Sequence, residues 1–341
     1  MNRHIVLLLA MICAYLGLSG LADAADSPSA GADVRIQLKW KHQFQFAGYY
    51  AALEKGFYAD EGLHVSLIEG GSGHAPVQEM LDGDVQYAVA DAGVLLSRAK
   101  GDPVVMLAAI FQHSPQVIMT LANITSLEAL RHQRVMMQEG NLTIEVQAML
   151  HHAGLLPSDY VRVPIGSLDA LIEGRVAAWP GYSTNEGFVL AERGIAFKMF
   201  RPIDYGIDFY GDTLVTTTAE VRNHPERAQA IRRATIKGWE YALAHQQEIV
   251  HLIKQKYDSQ HKSVAHLNYE ARAIADLMFS SVVPVGFLNK RRWQHIASVF
   301  NSMGQPVGHV DWESFLYQSK PELYSTPKCQ DSFLTILIPK F

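Results

Sequence analysis

The sequence predicts an α/β fold of two lobes that face each other across a cleft and are joined by two crossing strands. Three observations lead there. Short β-prone runs alternate with helical segments from about residue 36 to about residue 217. The block 121–210 has a strand–helix rhythm of its own and could bury its own core. From Pro225 onward the chain turns almost wholly helical. One lobe is therefore expected from both ends of the chain, 34–120 and 211–320, with the second lobe, 121–210, inserted between them. The 341 residues suit two such units better than one.

Composition excludes some classes. The formal charge is −5, hydrophobic residues make up 48%, and there is no long basic run, so no nucleic-acid partner is expected. Arg3 and His4 precede an apolar run over 5–18, and Ala22-Asp23-Ala24 offers small residues for cleavage. This reads as a signal peptide, 1–24, and predicts export to the periplasm; the run is shorter than the roughly 20 residues a spanning helix needs. Residues 25–33 form a disordered lead-in. Cys13 leaves with the signal, and Cys329 then stands alone in a tail at 321–341, so no disulfide and no cysteine-held metal is expected.

In chain order, an extended run at 36–40 leads through Lys41, His42, Gln43 and Gln45 into a helix on which Phe46, Tyr50, Leu53 and Phe57 share a face. Gly56 ends that helix, since it tolerates the positive φ of a C-terminal cap. A strand follows at 64–68. The glycine-rich loop 69–73 lacks the spacing of a dinucleotide or phosphate site and reads as a tight turn. After the strand at 84–90, Asp91 fits an N-cap of a helix at 92–100, or a cleft-facing ligand contact. Strands are expected at 104–111, 116–121, 134–138, 161–163, 176–179, 196–200 and 210–217. Helices are expected at 126–131, 142–152, 168–173 and 186–193, then beyond Pro225 and at 246–257, 269–279 and 290–303. Gly140 lies in the turn before the helix at 142–152.

Four segments carry a family resemblance. Trp40, Gly48-Tyr49-Tyr50-Ala51-Ala52, Gly56-Phe57-Tyr58 and Glu61-Gly62-Leu63 form the first; Tyr182-Ser183-Thr184-Asn185-Glu186 is the second. Residues 204–214 (DYGIDFYGDTL) and 234–242 (ATIKGWEYA) follow in order. Together they resemble the solute-binding proteins for thiamine-pyrimidine precursors, relatives of the fungal pyrimidine synthase. The resemblance implies a type II periplasmic binding fold, a small-molecule ligand of aminopyrimidine type, an ABC permease as partner, a monomer, and no cofactor or metal. A membrane-bound signalling partner and a sulfonate or nitrate ligand are the rival readings. The synthase's lysine and histidine positions are held here by Ala90 and Val94, and no cysteine lies between Cys13 and Cys329, so no catalysis is expected.

The ligand-binding candidates are Trp40, Gln43, Tyr49, Asp91, Gly140, Tyr182, Asn185, Glu186, Tyr205, Asp208 and Tyr210. A carboxylate can accept from an aminopyrimidine's exocyclic amine and from its protonated ring nitrogen, and flat side chains can stack on the ring. Without the resemblance, Glu186 reads as an acid at a helix N-terminus. Gly187 stands where the family has proline, which loosens that turn.

Overall fold

The computed structural model describes residues 32–137, 143–164 and 166–318. The expected signal peptide, most of the expected lead-in, Gly140 and the tail with Cys329 lie outside them. Two five-stranded sheets organise the chain. The first has the order β2-β1-β3-β10-β4, from β1 (Ala32–Gln37), β2 (Leu63–Ile68), β3 (Tyr87–Ala90), β4 (Val104–Ala109) and β10 (Thr213–Thr217). The second has the order β7-β6-β8-β5-β9, from β5 (Gln116–Leu121), β6 (Arg134–Met136), β7 (Val161–Val163), β8 (Ala178–Tyr182) and β9 (Phe197–Phe200). In each sheet, one strand arriving from the other half of the chain runs antiparallel to both neighbours: β10 between β3 and β4, β5 between β8 and β9.

Both faces of each sheet are covered, as the apolar character of the strands requires. Tyr87 and Val89 of β3 enter one core cluster while Ala88 and Ala90 enter the other. On the first face, helix Pro225–Ala244 crosses helix Ala47–Glu54 so closely that a Cβ on Gly238 would lie 2.2 Å from the Gly48 carbonyl. Trp239 beside it is fully buried. The Gly-Trp pair is thus a packing device. Gly56, at φ 75°, separates Ala47–Glu54 from the short helix Phe57–Asp60.

Several boundaries differ from the sequence reading. β5 belongs to the second sheet, so the first crossing lies at 110–115 and not near residue 120. The return crossing runs over 201–212, and the two touch, with Gly211 N–H donating to the Phe111 carbonyl. β8 extends to Tyr182, which makes that tyrosine the last residue of a strand pointing at the cleft. The helix expected at 269–279 begins at Val264, because Ser263 caps it by accepting from His266 N–H. The chain after helix Lys290–Ser302 returns to bridge Met106, covering the edge of β4.

Candidate functional site

The strand ends of the two sheets face each other, and the polar side chains gathered there come from both halves of the chain. Lys39 follows β1, Asp212 precedes β10, and Tyr182 ends β8. The Lys39 ammonium lies 2.7 Å from Asp212 Oδ1 and donates to the Tyr182 hydroxyl at 3.2 Å. Gln45 donates to both Asp212 oxygens, at 3.1 and 2.8 Å. Burial works against the Lys39 charge, but Asp212, Tyr182 and Asp91 outweigh it and raise the ammonium above its ordinary range. Burial pushes the Tyr182 hydroxyl up to about 12, with Lys39 opposing. A cation therefore sits between the lobes, already matched by a carboxylate.

Beside this pair a second cluster clamps the lobes. Lys262 donates to Gln43 Oε1 at 2.6 Å and to Asn185 Oδ1 at 2.8 Å, and pairs with Glu270. The other Glu270 oxygen accepts the Phe44 N–H at 2.9 Å. His266 Nε2–H donates to Asn185 Oδ1 at 2.9 Å, and its ring stacks on Phe188 with centroids 4.6 Å apart. Burial, helped by the Lys262 charge, lowers the His266 imidazole to about 4, so it is neutral here. Tyr269 O–H donates to the Ser183 carbonyl at 2.9 Å. A Cβ on Gly187 would come within 2.8 Å of that same hydroxyl. The glycine that replaces proline in the motif thus makes room for the opposite lobe.

Glu186 opens helix Glu186–Glu192. Its Oε2 accepts the Tyr182 N–H at 2.7 Å and its Oε1 accepts from Asn185 Nδ2 at 2.7 Å. It braces the turn that presents Tyr182 and Asn185, and burial raises its carboxyl above the usual range.

A third set lies at the crossings. Asp208 accepts from His113 Nδ1 at 2.8 Å and pairs with Arg292. Burial raises its carboxyl, yet the His113 hydrogen bond and the Arg292 charge outweigh it and hold it below the usual range. Glu145, from helix Ile144–His152, is buried between Asp91, Lys39 and Asp208, and burial pushes it up to about 8.

The sequence candidates divide accordingly. Gln43, Tyr182, Asn185 and Glu186 are brought together. Trp40 stands after Lys39 with 43% of its surface exposed. Asp91 accepts from Gly93 N–H at 2.9 Å, in a turn before a helix that starts only at Val94, and its charge acts on Lys39. Asp208 belongs to the crossing. Three tyrosines are placed elsewhere. Tyr49 has no exposed surface and lies edge-on to Trp239 inside the first core. Tyr210 is held between Arg292, 4.5 Å above its ring, and Trp293. Tyr205 packs on the second lobe against His152. The rings of Tyr49 and Tyr210 are fully enclosed by neighbouring side chains, while Tyr205 is half-buried.

Sequence reasoning passed over Lys39, Gln45, Asp212, Glu145, Lys262, His266 and Glu270. A signal did exist for Asp212: a carboxylate directly ahead of a β-branched run at the centre of a sheet must be buried and must find a cation.

A profile described as NMT1/THI5 like matches residues 43–249, well over half of the chain. The chain belongs to the NMT1/THI5-like family. Among curated relatives, a formylaminopyrimidine-binding protein of Halalkalibacterium halodurans is 24% identical over 88% of this chain and 95% of its own. The riboflavin-binding protein RibY of Chloroflexus aurantiacus is 25% identical over 68% of this chain and 69% of its own. Among solved structures, the periplasmic aliphatic sulphonate binding protein SsuA from Escherichia coli superposes with a TM-score of 0.67 at 14% identity, covering 89% of this chain and 99% of that one. The fold is therefore that of type II periplasmic binding proteins. The family match includes Gln43, Glu145, Tyr182, Asn185, Glu186 and Asp212, and stops short of Lys262, His266 and Glu270. No helix among the described residues is long and apolar enough to cross a membrane.

Proposed function

We infer that this protein is the periplasmic solute-binding component of an ABC importer, that it works as a monomer, and that it closes on a small planar nitrogen heterocycle of the thiamine-pyrimidine precursor kind. One observation carries the reading: the segment from Tyr182 to Asn185 in one lobe is seated on Lys39 and Lys262 of the other. A guest held there is gripped from both sides, which favours the shut state over the open one. The two curated relatives are named for a pyrimidine and for riboflavin, and both of those ligands are flat and nitrogen-rich.

The electrostatics favour such a guest over a sulfonate. Among the described residues, Lys39, Lys262 and Arg292 reach the boundary, each matched by a carboxylate: Asp212, Glu270 and Asp208. An anion would have to displace one of them. Titration calorimetry with 4-amino-5-hydroxymethyl-2-methylpyrimidine, riboflavin and ethanesulfonate tests this. The pyrimidine is expected to bind and the sulfonate not to. Binding of the sulfonate alone overturns the reading. Replacing Glu186 with Gln should weaken the pyrimidine while the protein stays folded, because the turn that presents Tyr182 and Asn185 loses a charged acceptor.

A further inference from the structure

Glu145 is buried at the lobe boundary with an oxygen that nothing in the described chain answers. It occupies the second position of helix Ile144–His152, and Ile144 and Ala148 of that helix pack into the first lobe's core with Ala90, Ala92, Ile207 and Phe209. That end of the helix is pressed across the cleft, and Glu145 is left 3% exposed. Its Oε2 is buried without a hydrogen-bond partner among the described residues. The Ser114 hydroxyl is its hydrogen-bonding neighbour, and the charges acting on it are Asp91, Lys39 and Asp208. Lys39, the one cation of those three, already serves Asp212 and Tyr182. Burying a carboxyl without donors is costly, and chains keep such groups where something else supplies the donors.

We propose that Glu145 is a ligand-contact residue of this site, its free oxygen accepting N–H from an amine-bearing edge of the bound heterocycle, so that the pocket selects amino over oxo substituents. This rests on the function proposed above and adds the residue that sets its specificity. Above about pH 8, where Glu145 is ionised, a carbonyl at the same place would face it acceptor against acceptor. In the empty protein, burial pushes the Glu145 carboxyl up to about 8. Donors brought by the ligand stabilise its ionised form.

The experiment compares 4-amino-5-hydroxymethyl-2-methylpyrimidine with its 4-oxo analogue by calorimetry at about pH 9, where Glu145 is ionised, on the wild-type protein and on Glu145→Gln, alongside melting curves without ligand. The wild-type protein is expected to favour the amine by about tenfold or more, since a site built to hydrogen-bond one group rejects the analogue lacking it. Gln offers an N–H to a carbonyl, so in Glu145→Gln that preference should collapse toward unity. Its melting temperature should equal or exceed the wild type's, because an unanswered carboxyl has been removed. An unchanged amine-to-oxo ratio in Glu145→Gln, or equal binding of both compounds by the wild type, overturns the inference and leaves the function standing. A lower melting temperature for Glu145→Gln marks the carboxyl as structural support and overturns it as well. Binding of neither compound by the wild type removes the pyrimidine reading and this inference together.

Discussion

Glu270 and Glu145 are both carboxyls buried at the lobe boundary, one from each lobe, and their surroundings treat them in opposite ways. Glu270 meets the Lys262 ammonium on one oxygen and the Phe44 N–H on the other, and Lys262 continues to Gln43 and Asn185. Every group in that cluster is answered within the chain. Glu145 keeps a buried oxygen with no described partner. A completed network fixes how two bodies meet, because each member loses its partner if the bodies separate. An incomplete one does little to hold them and gains from whatever arrives with donors. The boundary is thus divided between a clamp that orients the lobes and a carboxyl oxygen left without a partner among the described residues.

The sharpest way to break that distinction is to strip the clamp. Lys262→Met leaves Glu270 buried without its counter-charge and takes a donor from Asn185, so unfolding in urea should show a loss of about 3–5 kcal/mol. A loss below about 1 kcal/mol, the range of a surface pair, would mean that the cluster does not hold the lobes.

Acid should open the same clamp. The His266 imidazole titrates near 4 in the folded protein and near its ordinary value when unfolded. Between those values the unfolded chain binds a proton that the folded one refuses, so this group's stabilisation is complete above about pH 6.5 and is lost as the pH falls toward 4. At about 1.4 kcal/mol per pH unit, the loss approaches roughly 3 kcal/mol. Lys262, Glu270 and Asn185 face the ring from both lobes, and the Lys262 charge opposes any second cation there. Burial also raises the Glu270 and Glu186 carboxyls above their ordinary range, so the test is a difference: between pH 6.5 and 4, His266→Gln should lose less stability than the wild type. Parallel curves would remove His266 from the account.

The two regions were also unequally legible. Strand periodicity, the inserted middle block and the helical second half could be read because they rest on local patterns, and β5 and β7 fall at the expected residues, 116–121 and 161–163. Tyr182, Asn185 and Glu186 were visible as one short segment. Lys262 and Glu270 were not, since two charges eight residues apart at the start of an amphipathic helix look like a solvated face. Gln43, 219 residues away from Lys262, together with Phe44 and Asn185, covers them. Glu145 was hidden for a related reason: an acid in the first turn of a helix is ordinary, and its burial comes from the opposite lobe. Tyr49 and Tyr210 failed in the other direction. Their places in the resembling segments suggested stacking platforms, while core packing had taken both rings.

Gly187→Ala probes the clamp more gently. The new Cβ would meet Met199 Cε, which can swing aside, and the Tyr269 hydroxyl, which is held by the Ser183 carbonyl. The cost should fall at the low end of overpacking, about 1 kcal/mol. It should shrink further when Tyr269→Phe removes the hydroxyl. Equal costs in the two backgrounds, measured as a double-mutant cycle, would show that the glycine serves its own lobe alone.

The smallest expected effect on stability is at Trp40. The residue is 43% exposed and follows Lys39, and its backbone carbonyl accepts the Gly70 N–H. Replacing it with alanine opens no core cavity, because the indole belongs to none of the described core clusters, so unfolding should change by at most about 1 kcal/mol. Binding is a different matter. The indole follows Lys39 in the chain, and a flat side chain stacked on the guest is worth about 0.5–1.5 kcal/mol. Trp40→Ala should therefore weaken 4-amino-5-hydroxymethyl-2-methylpyrimidine by up to about tenfold at nearly unchanged melting temperature, and Trp40→Phe should restore much of it. If affinity and stability fall together, the indole is packing for the β1 turn. If neither moves, the guest is held by Tyr182 and the carboxyls without it.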